Sequence, residues 1–295
     1  MPSLDVALGD TPRATTMATA VNPPGLFSPW LLEPVPIALA AVAAACFARG
    51  FVRLRRRGRA DHAPWTRVAL FVAGLALLLA PVVSPLDLLG DRFLLSAHML
   101  QHVLIGDAGP ALILLAIRGP LLLFAIPAGI LAAAGRSERL RRAGRWVARP
   151  RVAVAFWALV FAGWHVPAAY DYAAAHQVVH DLEHASFVAA GFLLWWVLID
   201  PARTGHASRG RRLGTAAAVL AAGTAIADTL IFSLTPLYPA YADQPHRVFG
   251  LSPVHDQQLA GLVMTVEQMV ALGLLAAALL VPELRRLGAG ARQPA

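Results

Sequence analysis

His98 and His102 stand four residues apart, and His176, His180 and His184 repeat that interval twice. On a helix, side chains four apart share a face, one turn above the other. Two imidazoles placed this way can point at a single metal ion. Neutral imidazole suits copper, zinc and iron, and thioether sulfur favours Cu(I). Met99 and Met264 offer thioethers at similar expected depths, and Met264 shares a small and polar helical stripe with Gln257, Gly261 and Gln268. The one cysteine, Cys46, lies in an apolar run, so one chain can form neither a disulfide nor a CxxC clamp. No glycine-rich phosphate loop or nucleophile elbow stands in a suitable context.

Other polar residues carry weaker signals. His165, His246 and His255, read alone, are interfacial hydrogen-bonding residues, while His176 and Glu183 at a membrane edge fit either that role or ligation. Asp107, Asp228 and Glu267 fall deeper in apolar segments, where a carboxylate must be protonated, paired or facing water. A helix contact is expected for Asp228. For Asp107 and Glu267 a proton path, a metal counter-charge and a helix contact all stay open. Trp164, Trp195, Trp196, Tyr238 and Tyr241 read as interfacial anchors or packing.

The elements that must hold these residues are membrane helices. Of the 295 residues 58% are hydrophobic and only 14% charged, against roughly 25% charged in an ordinary soluble domain. That surface deficit excludes a soluble enzyme and a nucleic-acid binder, despite a net charge of +8. Apolar runs lie near Trp30–Arg49, Thr66–Val83, Phe93–Ile117, Val152–Ala169, Val178–Ile199, Leu213–Leu234 and Gln258–Val281. Lipid leaves backbone groups no outside partner, and the runs lack barrel alternation, so an all-α bundle of seven transmembrane helices is expected.

All 25 basic residues are Arg. Seven lie in 49–67, eight in 118–151, four in 203–212 and three after Val281, with only Arg13, Arg92 and Arg247 elsewhere. Seven crossings put the four rich segments on one side, which sets the N-terminus outside and the C-terminus in the cytoplasm. Eight histidines (all but His62 and His206) then belong to the outer half. Gly119–Ala134 is 16 residues long and broken by Pro127, so it reads as a short interfacial or re-entrant helix between spans 3 and 4. Residues 1–29 read as an extracytoplasmic tail without a cleavable signal, since Asp5 and Asp10 stand where a basic region would be. Residues 30–284 form a single polytopic membrane domain, and 285–295 a cytoplasmic tail. The arginine clusters suit anionic membrane lipids.

Three blocks in order, HMLQH (His98–His102), HVPAAYDYAAAHQVVHDLEHASFVAAGFLLWW (His165–Trp196) and LYPAYA followed by LSPVHDQQLAGLVM (ending at Met264), resemble the polytopic CtaG family of cytochrome c oxidase assembly factors. The similarity runs from about Ser96 to Met264. It implies a multi-pass protein of the bacterial plasma membrane that helps build a haem–copper oxidase, with copper as cargo and oxidase subunits as partners. The family's motif residues fall on His98, His102, His165, Tyr170, His180, His184, Asp256, Gln257 and Met264. Gly109 stands before Pro110 where many relatives have a second proline, and Thr265 follows Met264 where an aromatic residue is common.

The candidate metal ligands are therefore His98, His102, His180, His184, Met264, His165 and His176, supported by Tyr170, Glu183, Asp256 and Gln257. The leading reading is a non-enzymatic copper carrier for oxidase assembly on the outer side of the membrane. The residues also admit a seven-helix zinc hydrolase with Ser96, Asp181 or Glu183 handling protons, and a b-haem protein with axial imidazoles from facing helices. A scaffold that only positions oxidase subunits is the non-metal alternative.

Overall fold

The computed structural model describes residues 30–205, 207–245 and 247–290, the last five of these by backbone alone. The expected tail at 1–29, His206 and His246 lie outside the described residues. Fourteen α-helices are described: α1 (Pro34–Arg56), α2 (Trp65–Val83), α3 (Pro85–Arg92), α4 (Leu95–Val103), α5 (Gly109–Ala116), α6 (Pro120–Ala125), α7 (Ala128–Arg136), α8 (Glu138–Val147), α9 (Pro150–Trp164), α10 (Pro167–Ala175), α11 (Gln177–Ile199), α12 (Arg209–Phe232), α13 (Pro239–Ala242) and α14 (Pro253–Gly290). No strand occurs among the described residues. Among the described residues, six helical segments are long and apolar enough to cross a membrane, and a seventh arises if α8 and α9, bent by 65° at their junction, count as one.

Local chemistry sets many of the boundaries. Proline occupies the first or second position of α1, α3, α6, α9, α10 and α13, where its missing N–H costs nothing and its fixed φ suits the helix. Ser84 caps α3 by accepting from the Leu86 N–H at 3.3 Å, and Ser137 caps α8 by accepting from Leu140 at 3.3 Å. The fourth expected span, Val152–Ala169, breaks at His165. Val166 takes extended angles (φ −68°, ψ 121°) because Pro167 disfavours helix in the residue before it. The first helix runs past its expected end at Arg49 into the arginine cluster, and α14 runs past Val281 through the expected tail start to Gly290. The short segment between spans 3 and 4 is two helices. Of these α6 is tucked against α1 with Leu121 and Leu122 buried, whereas α7 buries no residue.

The third span is the axle of the bundle. In its most apolar stretch, 67% of residues are buried, against 17–56% in the other spans. It is one path in three parts, because residues Leu104–Ala108 form a π-helical turn between α4 and α5. The Gly109 N–H bonds back to the Leu104 carbonyl. Pro110 follows and has no N–H to offer the Gly106 carbonyl, so the wider turn accommodates the ring. That Gly106 carbonyl faces α11 at Gly191, where a Cβ would overlap it. Bulky side chains fill the space elsewhere: Trp157, Phe187, Leu194, Trp195 and Leu272 form one core between α9, α11, α12 and α14, and Phe47, Phe51, Phe71 and Ile113 form another between α1, α2 and α5.

Candidate metal centre

α4 carries His98 and His102 on one face, as the spacing predicts, and their Nε2 atoms lie 2.9 Å apart. From α11, His180 and His184 approach the same point. Ring centroids are 5.4 Å apart for His98–His180, 5.6 Å for His98–His184 and 5.3 Å for His102–His184. Two overlapping ligand groups result, His98–His102–His184 and Asp91–His98–His180, each with one donor atom per residue within 4.8 Å of the others. Ligands about 2.1 Å from one tetrahedral ion stand roughly 3.4 Å apart, so small side-chain rotations close either group on a metal. His98, His102 and His180 are buried, at 2%, 4% and 3% exposure. The rings thus sit inside the protein and away from lipid.

Carboxylates line the cluster. Asp91, on α3, brings Oδ1 to 3.0 Å from His180 Nε2 and 3.9 Å from His98 Nδ1. Glu183 Oε1 stands 3.5 Å from His102 Nε2. Burial would raise the Asp91 pKa, but its hydrogen bond to His180 and the neighbouring imidazoles hold it below the usual carboxylate range. Burial, followed by the charge on Asp91, pushes the Asp87 carboxyl up to about 7.

A shell of hydrogen bonds fixes this arrangement. Asp256, from α14, accepts from the Leu95 N–H at 2.7 Å, the Ser96 N–H at 3.1 Å and the Ser96 hydroxyl at 2.5 Å. It thereby caps α4 from another helix and sets the height of His98. Gln257 accepts from the Leu237 N–H at 2.7 Å and donates to the Leu230 carbonyl at 3.3 Å, pinning the end of α12. Tyr170 lies edge-on to His98 at 5.2 Å and shares a 2.7 Å hydrogen bond with Tyr241, whose hydroxyl donates to the Gly90 carbonyl at 2.7 Å. Tyr238 donates to the His165 carbonyl at 3.0 Å. Tyr238 and Tyr241 are therefore buried packing residues of the site, not interfacial anchors.

One turn deeper, a cavity of about 30 Å³ opens between Met99, His102, His165, Met264, Asp107 and Glu267. The His165 Nδ1–H donates to the Phe161 carbonyl at 2.6 Å. Its buried Nε2 has no hydrogen-bond partner among the described residues and presents a bare lone pair. His165 and Met264 thus line this cavity, outside the two three-residue groups. Asp107, turned inward by the π turn, accepts from the Trp195 indole N–H, so Trp195 is also a packing residue. Asp228 makes no hydrogen bond or ion pair among the described residues, unlike the helix contact expected of it. His176 is half-buried, donates to the Tyr172 carbonyl at 2.8 Å, and stacks on Tyr172 at 4.0 Å. The structure does not bring it to the cluster. His255 is exposed.

Sequence reading missed Asp91 and Gln101. Asp91 lies on a separate short helix beyond the break at Phe93 and Leu94, so no periodicity links it to His98. Gln101 is fully buried inside HMLQH and donates to the Pro81 carbonyl at 2.7 Å and to Asp87 at 3.1 Å. Its position in that block was the only available signal.

A family model described as cytochrome c oxidase caa3 assembly factor (Caa3_CtaG) matches residues 45–286. No curated protein and no solved structure matches the chain.

Proposed function

The chain belongs to the cytochrome c oxidase caa3 assembly factor family, and from that premise we propose that it carries copper to an oxidase subunit at the outer face of a bacterial plasma membrane. The observation that carries this reading is the convergence of His98, His102 and His184 from two helices, with Asp91 and His180 beside them. Copper here is cargo. A carrier needs modest coordination and a way out, and overlapping groups that share His98 offer an ion successive positions instead of one closed cage. Below them, the thioethers of Met99 and Met264 and the lone pair on His165 Nε2 suit Cu(I). The outer placement follows from arginine-rich segments gathering on the other side.

The carboxylate of Asp91 gives one observation in favour of a divalent ion, so zinc is the second reading. Haem fits less well. Histidine rings 4.2–5.6 Å apart leave no slot between them for a macrocycle.

The test is copper and zinc binding to purified protein, by stoichiometry and chelator competition, in wild type and in His98→Ala/His102→Ala. The expected result is one tightly bound Cu(I) in wild type and at least a hundredfold weaker binding in the variant, about 2.7 kcal/mol for two lost ligands. Equal copper binding in both would remove this site. Tight zinc with lipid amide or ester turnover would replace the carrier with a hydrolase. In cells lacking the gene, oxidase copper content should be restored by wild type and not by the double variant. Restoration by both would leave a scaffold.

A further inference from the structure

At the far end of α11 from the histidines, four arginines from four segments converge. Arg67, at the start of α2, donates through Nη1 to the Ala116 carbonyl at 2.9 Å and the Arg118 carbonyl at 2.5 Å. Arg118 follows α5, and its Nε is buried without a hydrogen-bond partner among the described residues. Arg203 lies in the loop after α11, with its Nε 3.6 Å from where a Cβ would sit on Gly119. Arg212, on α12, donates through Nε to the Leu198 carbonyl at 2.5 Å. Arg118 and Arg203 both act electrostatically on Arg67, and Arg118 acts on Arg212.

The backbone is shaped to hold them there. The Gly119 N–H bonds the Pro201 carbonyl at 2.7 Å, stapling the two loops together. Gly119 has φ 78°, and Asp200 and Arg203 also hold left-handed angles of 51° and 55°, a conformation that non-glycine residues adopt at a cost. The nearby acid, Asp200, is already engaged. It accepts from the Thr204 N–H, the Thr204 hydroxyl and the Gly205 N–H, each at 2.9 Å. Burial would raise its pKa, but these bonds hold it below the usual carboxylate range.

We infer that this cluster is a binding site for a phosphate-type oxyanion, supplied either by an anionic lipid headgroup or by free phosphate. Guanidinium groups gathered this way, with the one nearby carboxylate already committed to Thr204 and Gly205, repel each other, and a bound anion would offset that repulsion. Forked donors converging from several directions match a tetrahedral group with several oxygens better than a flat carboxylate. Topology alone accounts for arginines on this side. It does not account for a buried, unpartnered guanidinium nitrogen, or for left-handed loop residues stapled around it.

The test uses full-length protein purified in neutral detergent, and reads the rise in thermal unfolding midpoint as ligand is titrated. One arm adds phosphatidylglycerol against phosphatidylcholine, and the other adds inorganic phosphate against chloride at equal ionic strength. Wild type should be stabilised by at least one phosphate source. Arg203→Gln, an exposed side chain outside the helix packing, should weaken that binding about tenfold, as expected for one charge-assisted hydrogen bond. Arg118→Gln should weaken it further, with helicity and elution volume checking its fold. Stabilisation by phosphatidylglycerol alone assigns a lipid headgroup, and stabilisation by phosphate as well assigns the free anion. Arg141→Gln, on exposed α8, should leave binding unchanged. If Arg141→Gln weakens it as much as Arg203→Gln, or if neither source stabilises wild type beyond its control, the inference is overturned. Copper binding is read at separate residues, so its failure leaves this result standing.

Discussion

Single residues decide the height and angle of the ligands, and Asp256 is the clearest case. Its carboxylate satisfies two of the N–H groups that open α4 together with a serine hydroxyl, so it acts as a helix cap supplied from 160 residues away in sequence. Removing a cap typically costs about 1–2 kcal/mol, and more when the N–H groups left behind are buried. Asp256→Ala should therefore lower the thermal midpoint of the purified protein and loosen metal binding, with Asp256→Asn falling between it and wild type. An unchanged midpoint in both variants would mean that α4 holds its start without this carboxylate. The four core histidines were legible in the sequence because their spacing is a helical period. Asp91 was not, since the helix breaks at Phe93 and Leu94 between it and His98. Tyr238 and Tyr241 could be read as interfacial anchors or as packing, and the structure makes them packing. Aromatic residues near span ends look alike in sequence whether they face lipid headgroups or a buried carbonyl such as that of Gly90.

Among the elements, the contact between the third span and α11 brings two pairs of histidines face to face. It depends on absent side chains. The Gly106 carbonyl, left without its usual helical donor by Pro110, packs where Gly191 has no Cβ. Gly191→Val would force these helices apart, and overpacking of this kind costs about 1–3 kcal/mol. The expected outcome is a lower thermal midpoint together with weaker copper binding. Gly163→Ala on α9, where a Cβ meets nothing within 4 Å, should leave both unchanged or raise stability slightly. Equal effects from the two would refute the close-contact account. Hydropathy made the long spans legible. It was blind to the break at His165, because the run of apolar residues continues across it, and only Pro167 marks where the helix must stop. Pro127 likewise marked the interruption between α6 and α7, but nothing in the sequence showed that α6 would be buried against α1.

For the whole molecule, the arrangement of arginines predicts an orientation that cysteine labelling can check. In a Cys46→Ser background, Thr235→Cys between α12 and α13 should react with a membrane-impermeant maleimide on intact cells. Arg139→Cys, on exposed α8, should react only after the cells are opened. The reverse pattern would turn the bundle over and put the histidine cluster on the cytoplasmic side. The charge count was visible without coordinates because insertion reads local basic residues and not the folded shape. The convergence of Arg67, Arg118, Arg203 and Arg212 was not visible, since it arises from a loop-to-loop bond at Gly119 that no sequence period encodes.

The shortness of α9 has a consequence for the surrounding lipid. Its 15 residues extend about 22 Å at 1.5 Å per residue, against a hydrocarbon layer of about 30 Å. Beside this helix the bilayer must dimple by several ångströms or let water descend to the level of His165.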